Sequence, residues 1–184
     1  MYELKLSSYL SKPNTTSMPE SNKERRILTN IKAEILDDLL SEFGKLLSPA
    51  DQRKHDELTQ LLKKREEITT TGLGKGYAIP HTRDALIDYP KIGIITTKGT
   101  DYNSLDKNPV YIAIGMLYPR LENEHIYLQL LAICADIIKK DIFGKTIKEI
   151  KEGNDIDPQH LYNVLIAYEY EHPHIIKQIF PIGI

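Results

Sequence analysis

The hydrophobic residues of the N-terminal third follow a helical period. Over residues 20–44 they recur every three or four positions, which predicts an amphipathic helix, and these positions are Ile27, Leu28, Ile31, Ile35, Leu39 and Phe43. Ser21 and Glu24 have the spacing of a capping box at its start, and Gly44 is placed to end it. Ser48-Pro49 then predicts the start of a second helix, which leads toward a glycine-rich stretch.

The middle of the chain changes to a pattern typical of strands. Residues 91–97 are rich in β-branched residues, and residues 99–108 have the composition of a turn. Pro109 then opens a run, residues 110–118, that is almost continuously apolar. Such a run predicts a strand buried on both faces, and Pro119 is placed to stop it.

The C-terminal third returns to helical spacing. Residues 122–140 carry two adjacent apolar rows and predict a long helix, and residues 146–151 predict a short one. Asp157-Pro158 has the composition of a helix start, so a last helix is expected to run through Tyr168. Helices on either side of a β region indicate an α/β fold with helices on both faces of the sheet.

The length of 184 residues fits one domain with a short appendage at each end. We expect an N-terminal arm over residues 1–19, which carries Pro13 and Pro19 and has room for one short strand. The domain itself is expected over residues 20–171. An apolar C-terminal tail over residues 172–184 is left without an assigned structure.

Composition narrows the function classes. Apolar residues make up 41% of the chain, enough for one core, and the net charge of −2 gives no broad electrostatic footprint for nucleic acid. The single cysteine, Cys134, excludes an internal disulfide framework, and with no signal peptide this favours the cytoplasm. The longest apolar runs are too short to span a bilayer, so no membrane insertion is expected.

The candidate chemistry lies in the stretch from Thr70 to His81. Its glycines, at positions 72, 74 and 76, lack the spacing of a dinucleotide fingerprint, and Gly76 stands where a P-loop needs Ser or Thr. One interpretation is a tight turn that feeds a strand. The other is an anion cradle, because bare backbone N–H groups can receive phosphate oxygens. Pro80 then fixes the backbone directly before His81, whose neutral imidazole is a nucleophile near physiological pH.

These residues resemble a known signature. Arg65-Glu66 followed by the unbroken run from Thr71 to His81 is similar to the motif of enzyme IIA domains of the fructose/mannitol class. These domains belong to the bacterial phosphoenolpyruvate-dependent phosphotransferase system, and the class includes nitrogen-related regulators. Residues 99–110 and Glu124-His125-Ile126 are similar to two further segments of the family, in the same order. The resemblance covers roughly residues 20 to 170.

The resemblance implies a fold and a site. The fold is a three-layer α/β/α sandwich around a small mixed β-sheet. His81 matches the phosphorylated histidine, Arg65 matches an arginine near the site, and His125 matches an auxiliary histidine that would keep His81 neutral. The arginine fork suits phosphate, and the Thr71 hydroxyl and the backbone of Gly72, Gly74 and Gly76 are expected to offer further donors.

The resemblance also implies partners. The phosphocarrier protein HPr would donate the phosphoryl group, and a IIB-type acceptor domain of a permease, or a regulated protein, would receive it. Transport and regulation both remain open, and the lack of a fused acceptor domain in the chain favours a stand-alone regulator. The alternative class is a non-catalytic interaction module that keeps the fold and no longer relays phosphate.

Several other residues that could suggest a function are given non-catalytic interpretations. No cofactor is expected. Among His160, His172 and His174, the last two form only a pair with no clear third ligand, so no metal is expected either. Cys134 lies in an apolar helix row and is expected in the core. Arg83, where small residues are common nearby in the family, either helps a partner dock or is simply solvated.

Overall fold

The computed structural model describes residues 5–10, 26–48 and 52–172. The described ranges contain six strands and six helices. The strands are β1 (Ile27–Ile31), β2 (Gly72–Gly74), β3 (Tyr77–Ala78), β4 (His81–Asp84), β5 (Lys91–Thr100) and β6 (Val110–Pro119). The helices are α1 (Leu6–Leu10), α2 (Leu36–Leu47), α3 (Gln52–Ile68), α4 (Glu124–Lys139), α5 (Gly144–Lys151) and α6 (Pro158–Glu171).

All six strands form one mixed sheet with β6 at its centre. The order along the sheet is β1-β5-β6-β3-β2, and β4 also pairs with β6. The β5 strand runs antiparallel to β6 along one side, whereas β3 and β4 run parallel to it along the other. Every residue of β6 is buried except the half-buried Tyr111, which confirms the predicted strand covered on both faces.

Two apolar cores lie on opposite faces of this sheet. One contains the buried side chains of α1, α4, α5 and α6, together with Ile112, Ile114 and Met116 of β6. The other contains those of α2 and α3, together with Ala113 and Leu117 of the same strand. Successive residues of a strand point to opposite faces, so β6 feeds both cores. The structure is the predicted three-layer α/β/α sandwich.

Close approach of α2 to the sheet depends on two glycines that face each other. Gly93 of β5 pairs with Gly115 of β6. A Cβ atom at Gly115 would collide with the ring of Phe43, and one at Gly93 would lie 2.9 Å from Leu46 Cδ2. The helix therefore packs directly on bare backbone at this point.

The predicted helix over residues 20–44 is wrong over residues 27–31. Residues 27–31 form β1, in which Ile27 and Leu28 pair in parallel with Ile94 and Ile95. Their apolar spacing fits a helix, but pairing with a distant buried strand overrides that local preference. The proposed cap residues Ser21 and Glu24 lie outside the described residues.

The α2 helix begins and ends later than predicted. It starts at Leu36, where the Asp38 carboxylate accepts the backbone N–H groups of Glu34 (3.1 Å) and Ile35 (3.3 Å). It passes through Gly44, which is buried against His55 and Thr59 of α3. Gly44 is thus a helix-packing residue, because a side chain there would displace α3.

The described part of the N-terminal arm, residues 5–10, contains the helix α1, and the rest of the segment in which a short strand had room lies outside the described residues. Leu6 and Leu10 of α1 are buried in the core. The backbone N–H and the hydroxyl of Ser7 donate to the two carboxylate oxygens of Glu169, at 2.9 and 2.5 Å. These bonds join α1 to α6, so this helix is packed onto the domain.

The C-terminal helices agree with the sequence patterns. Asp157 caps α6 by accepting the N–H of Gln159 at 2.9 Å, and Pro158 lies in the first turn. Residues 173–184, which hold most of the predicted tail, lie outside the described residues. Within the described ranges, no helix has the length and apolar content needed to cross a membrane.

Candidate functional site

The glycine-rich stretch folds into a β-hairpin. Gly72–Gly74 pairs antiparallel with Tyr77–Ala78. Lys75 (φ 55°) and Gly76 (φ 88°) at the turn both have left-handed backbone angles. Two such residues in succession are the mark of a type I′ turn, which needs a residue such as glycine. Of the two interpretations of the glycines, the tight turn that feeds a strand describes this geometry.

The register of the sheet separates the hairpin tip from His81. Tyr77 pairs with Ile112 and His81 pairs with Met116, four residues further along β6. Four steps of an extended strand span about 13 Å, at ~3.3 Å per residue. A backbone donor at the tip also already has a partner, since the Lys75 N–H donates to Asp106 Oδ2 at 2.8 Å. This geometry argues against the predicted phosphate contacts from Gly74 and Gly76.

Gly72 lies nearer the site but its N–H group has a partner. It donates to Thr70 Oγ1 at 3.1 Å, and the Gly72 carbonyl accepts the N–H of Leu105 at 2.9 Å. A Cβ at this position would lie 2.9 Å from Ser104 Cα, so the backbone passes very close to the following loop. Gly72 therefore has a packing reason to be glycine, and its phosphate contact stays a prediction.

The imidazole of His81 is held in one orientation. Its Nδ1 lies 2.6 Å from the Ile79 carbonyl oxygen. A carbonyl can only accept, so Nδ1 carries the proton and Nε2 holds a free lone pair. The carbonyl is fixed in turn, because the Ile79 N–H donates to Thr71 O at 2.9 Å, and Met116 N–H donates to Pro80 O at 2.8 Å.

The surroundings of His81 favour its neutral form. Burial lowers the pKa of the half-buried imidazole below its ordinary 6.5, and the nearby Arg65 cation lowers it further. The hydrogen bond to Ile79 and the Glu66 carboxylate act in the opposite direction and only partly offset these effects on the pKa. A neutral ring with a free Nε2 lone pair is the nucleophilic form of histidine.

Arg65 lies in the last turn of α3, as predicted. Its Nη1 donates to the Thr69 carbonyl at 3.1 Å, a bond that keeps the guanidinium at the helix end. Its charge acts on the pKa of both His81 and Tyr127. The structure thus places Arg65 in the electrostatic neighbourhood of His81.

Glu66 organises the entry to the hairpin. Its carboxylate accepts the backbone N–H and the hydroxyl of Thr71, both at 2.6 Å, and also the Tyr102 hydroxyl at 3.3 Å. The Thr71 side chain is buried and committed to these bonds. A phosphate contact from Thr71 would require an exchange of one of them, and that role stays a prediction.

An aromatic residue that sequence reasoning missed lies beside His81. The ring centroids of Tyr127 and His81 are 6.2 Å apart, with the planes tilted by 56°. Tyr127 lies in the first turns of α4 and is half-buried. The signal for it was present, because Tyr127 precedes the apolar positions Leu131 and Cys134 by four and seven residues and so continues their row.

His125 lies in the first turn of α4 and is exposed. Its backbone N–H donates to the Asn123 side chain at 2.9 Å, and its Nε2 lies 3.2 Å from Gln129 Nε2. Residues two apart on a helix project about 200° away from each other, so His125 and Tyr127 leave α4 in different directions. Tyr127 supplies the ring contact to His81, and the auxiliary role of His125 stays a prediction.

Arg83 is held within the protein. It lies two residues after His81 on β4, so the two side chains share one face of the sheet. Its Nη1 forms an ion pair with Glu124 Oε1 at 2.9 Å, and Nη2 donates to the carbonyls of Arg120 (3.0 Å) and Glu122 (3.2 Å). Simple solvation therefore does not describe this side chain, and a role in partner docking stays a prediction.

Cys134 is a core residue, as predicted. It is completely buried, and burial raises the pKa of its thiol to about 12. Such a thiol is a poor nucleophile. Over the described ranges, no group of three or more His, Cys, Asp or Glu side chains has an arrangement that could hold a metal ion.

Known proteins are similar to this chain over a region that includes the candidate site. A family model described as "Phosphoenolpyruvate-dependent sugar phosphotransferase system, EIIA 2" matches residues 20–162. A fructose-specific EIIABC component of Bacillus subtilis is 26% identical over 133 residues, which cover 70% of this chain and 20% of that protein. A fructose-specific EIIA component of Haloferax volcanii is 28% identical over 132 residues, 71% of this chain and 77% of that protein. The match thus spans about a fifth of the Bacillus protein and most of the Haloferax one.

Solved structures share the fold. Nitrogen regulatory protein IIA-Ntr from Neisseria meningitidis superposes with a TM-score of 0.65 at 24% identity, over 76% of this chain and 92% of that one. The IIA mannitol subunit in its complex with phosphorylated IIB mannitol, from Escherichia coli, gives a TM-score of 0.56 at 15% identity. That alignment covers 77% of this chain and 94% of the other.

Proposed function

Because the chain belongs to the EIIA 2 family of the phosphoenolpyruvate-dependent sugar phosphotransferase system, we propose that it is a phosphocarrier that accepts a phosphoryl group on His81. The observation that carries this proposal is the state of the His81 ring. Its Nδ1 proton is donated to the Ile79 carbonyl at 2.6 Å, and the free Nε2 lone pair belongs to a half-buried, neutral imidazole.

In the proposed step, the Nε2 lone pair attacks the phosphorus atom of a phosphorylated donor protein. The bond from phosphorus to the donor breaks, and its electron pair stays with the donor. The imidazole becomes positively charged as the P–N bond forms, while the Nδ1 proton remains on the ring. The Ile79 carbonyl and the Glu66 carboxylate favour this charge, and the Arg65 guanidinium offsets the negative charge of the phosphoryl oxygens.

We propose HPr as the donor and a IIB-type domain as the acceptor. A surface that meets other proteins is supported by exposed leucines on the segments around His81. They are Leu86 (53% exposed) after β4, Leu121 (94%) in the β6–α4 connection and Leu128 (43%) on α4. The structural relative in complex with phosphorylated IIB mannitol supports the acceptor class.

Transport is the first role to test, because both sequence relatives named above are fructose-specific components. We therefore propose that a fructose-class IIB domain discharges the phosphorylated protein. Control of a partner protein by the phosphorylation state is the other outcome, and it would apply if the protein is phosphorylated but no sugar-class acceptor discharges it.

The test is phosphorylation in a reconstituted system. The protein is incubated with phosphoenolpyruvate, enzyme I and HPr, and its intact mass is measured at neutral or alkaline pH. One acid-labile phosphoryl group is expected on the wild type and on His160→Ala, and none on His81→Ala. His160 is a matched control because it is an exposed histidine on α6.

A folded wild-type protein that gains no adduct would overturn the proposal and favour the non-catalytic interaction module. An adduct that survives in His81→Ala would move the acceptor to another residue.

A further inference from the structure

We propose that Tyr127 and Arg83 form a positioning pair that covers the His81 imidazole and shields its phosphorylated form from water. The proposal rests on the proposed function only for the phosphorylated state. The covering of the free imidazole by the pair can be tested whether or not the protein carries phosphate.

The first part of the pair is the ring of Tyr127. It is tilted by 56° to the imidazole at a centroid separation of 6.2 Å, within the range of separations typical of aromatic pairs. The centroid of the Tyr118 ring lies 5.4 Å from that of Tyr127, and the Tyr118 hydroxyl donates to the Asn123 carbonyl at 3.1 Å. The Tyr127 ring therefore also packs against a second aromatic side chain whose hydroxyl is fixed by a hydrogen bond.

The second part is Arg83, which holds Tyr127 over the site. Its guanidinium carbon lies 5.2 Å from the Tyr127 centroid and 5.9 Å from that of Tyr118. In the part of the chain that the structure describes, Arg83 Nε is the single buried side-chain polar atom without a hydrogen-bond partner. A cation–π contact with the two rings accounts for its burial at that position.

Arg83 also fixes the helix that carries Tyr127. Its bonds to the carbonyls of Arg120 and Glu122 and to the Glu124 carboxylate tie β4 to the start of α4. The nucleophile and Arg83 are two residues apart on one strand, so the strand that positions His81 also positions its cover. The position of Tyr127 relative to the His81 imidazole is therefore fixed through β4, the strand that carries His81.

The Tyr127 side chain is uncharged at physiological pH, as a side chain that shields the imidazole from water should be. Burial raises the pKa of the Tyr127 phenol, which Arg65 and Arg83 only partly offset, so the ring is neutral at physiological pH. Since burial is the largest cause of the lowered His81 pKa, loss of the Tyr127 ring should let that pKa rise toward 6.5. It should also admit water to the P–N bond and shorten the lifetime of the phosphoprotein.

The experiment compares Tyr127→Phe, Tyr127→Leu and Arg83→Gln with wild type. The His81 pKa is measured by NMR titration of the unphosphorylated protein, and the phosphohistidine half-life is measured by intact mass after removal of the donor. Tyr162→Leu is the matched control, because Tyr162 is a half-buried tyrosine packed against the same core, on α6. Circular dichroism confirms that each variant is folded.

Tyr127→Leu is expected to raise the His81 pKa and to shorten the half-life several-fold. Arg83→Gln should change both in the same direction and to a smaller extent, and Tyr127→Phe should match wild type. A pKa and half-life in Tyr127→Leu equal to those of Tyr162→Leu would overturn the proposal. Tyr127→Phe behaving like Tyr127→Leu would also overturn it, because the hydroxyl and not the ring would then act.

If Tyr127→Leu does not fold, Arg83→Gln and Tyr127→Phe still test the proposal. A His81 pKa and a phosphohistidine half-life in Arg83→Gln equal to those of wild type would overturn it. If the wild type accepts no phosphate, the proposed function fails, and the NMR titration alone judges whether Tyr127 covers His81.

Discussion

The Nδ1 atom of His81 lies 2.6 Å from the carbonyl oxygen of Ile79. Only one ring nitrogen of a neutral imidazole carries a proton, so this contact selects the tautomer. Because Ile79 and Pro80 are themselves bonded to Thr71 and Met116, the backbone cannot easily turn away. The contact therefore leaves Nε2 as the reactive atom.

We predict that the phosphoryl group is attached to Nε2 of His81. At pH 8 the unphosphorylated ring should show the Nδ1–H tautomer, since the Ile79 carbonyl requires a donor there. Nitrogen-15 NMR of the histidine ring in the free and phosphorylated protein measures both. A phosphorus coupling to Nδ1 would contradict the prediction.

The rate of phosphoryl acceptance should be insensitive to pH around 6.5. Burial and Arg65 lower the His81 pKa, so the ring stays in its neutral, nucleophilic form as the pH falls through the ordinary value. Protonation, and with it loss of rate, should begin only at lower pH. A rate profile between pH 5 and 8 measures this, and a midpoint at or above 6.5 would contradict it.

Replacement of Arg65 by Gln should slow phosphorylation by about a hundredfold, because a charged group that stabilises the developing phosphoryl charge is lost. The same change should raise the His81 pKa, since the Arg65 cation is one cause of its lowering. Arg53→Gln is the matched control, at an exposed position in the first turn of α3. Equal phosphorylation rates in the two variants would show that Arg65 does not assist phosphoryl transfer.

Gly115→Ala should destabilise the protein by about 1–3 kcal/mol, the usual cost of excess volume in a packed core. The added Cβ would collide with the Phe43 ring of α2. The double variant Gly115→Ala/Phe43→Leu should cost less than the sum of the two single changes, because a smaller side chain leaves room for the methyl group. Urea unfolding of the four proteins gives the coupling energy, and strict additivity would contradict the contact.

Cys134 should not react with a thiol reagent in the native protein. It is completely buried, and burial raises its pKa to about 12, so the reactive thiolate is scarce at neutral pH. Reaction with Ellman's reagent in buffer and in denaturing urea measures accessibility. Fast labelling of the folded protein would show that the core around α4 opens readily.

Much of the candidate site could be predicted from short-range sequence features. His81 after Pro80, and Arg65 at the end of α3, lie within one motif, and the structure places the Arg65 charge where it acts on His81. Tyr127 could have been found by extending its helix row by one turn. The ion-pair partner of Arg83 could not have been found in this way, because Glu124 is 41 residues away and no local pattern links the two.

The sequence by itself determined the elements whose signals are local. The long apolar run of β6, the cap at Asp157-Pro158 and the apolar rows of α4 each lie within one segment, and the structure confirms them. Only the tertiary structure decided that residues 27–31 form a strand, because their pairing partner is Ile94-Ile95. It also decided that the glycine hairpin points away from His81. That direction follows from the register of β3 and β4 on β6, and a register joins residues too far apart in sequence for any local pattern to specify.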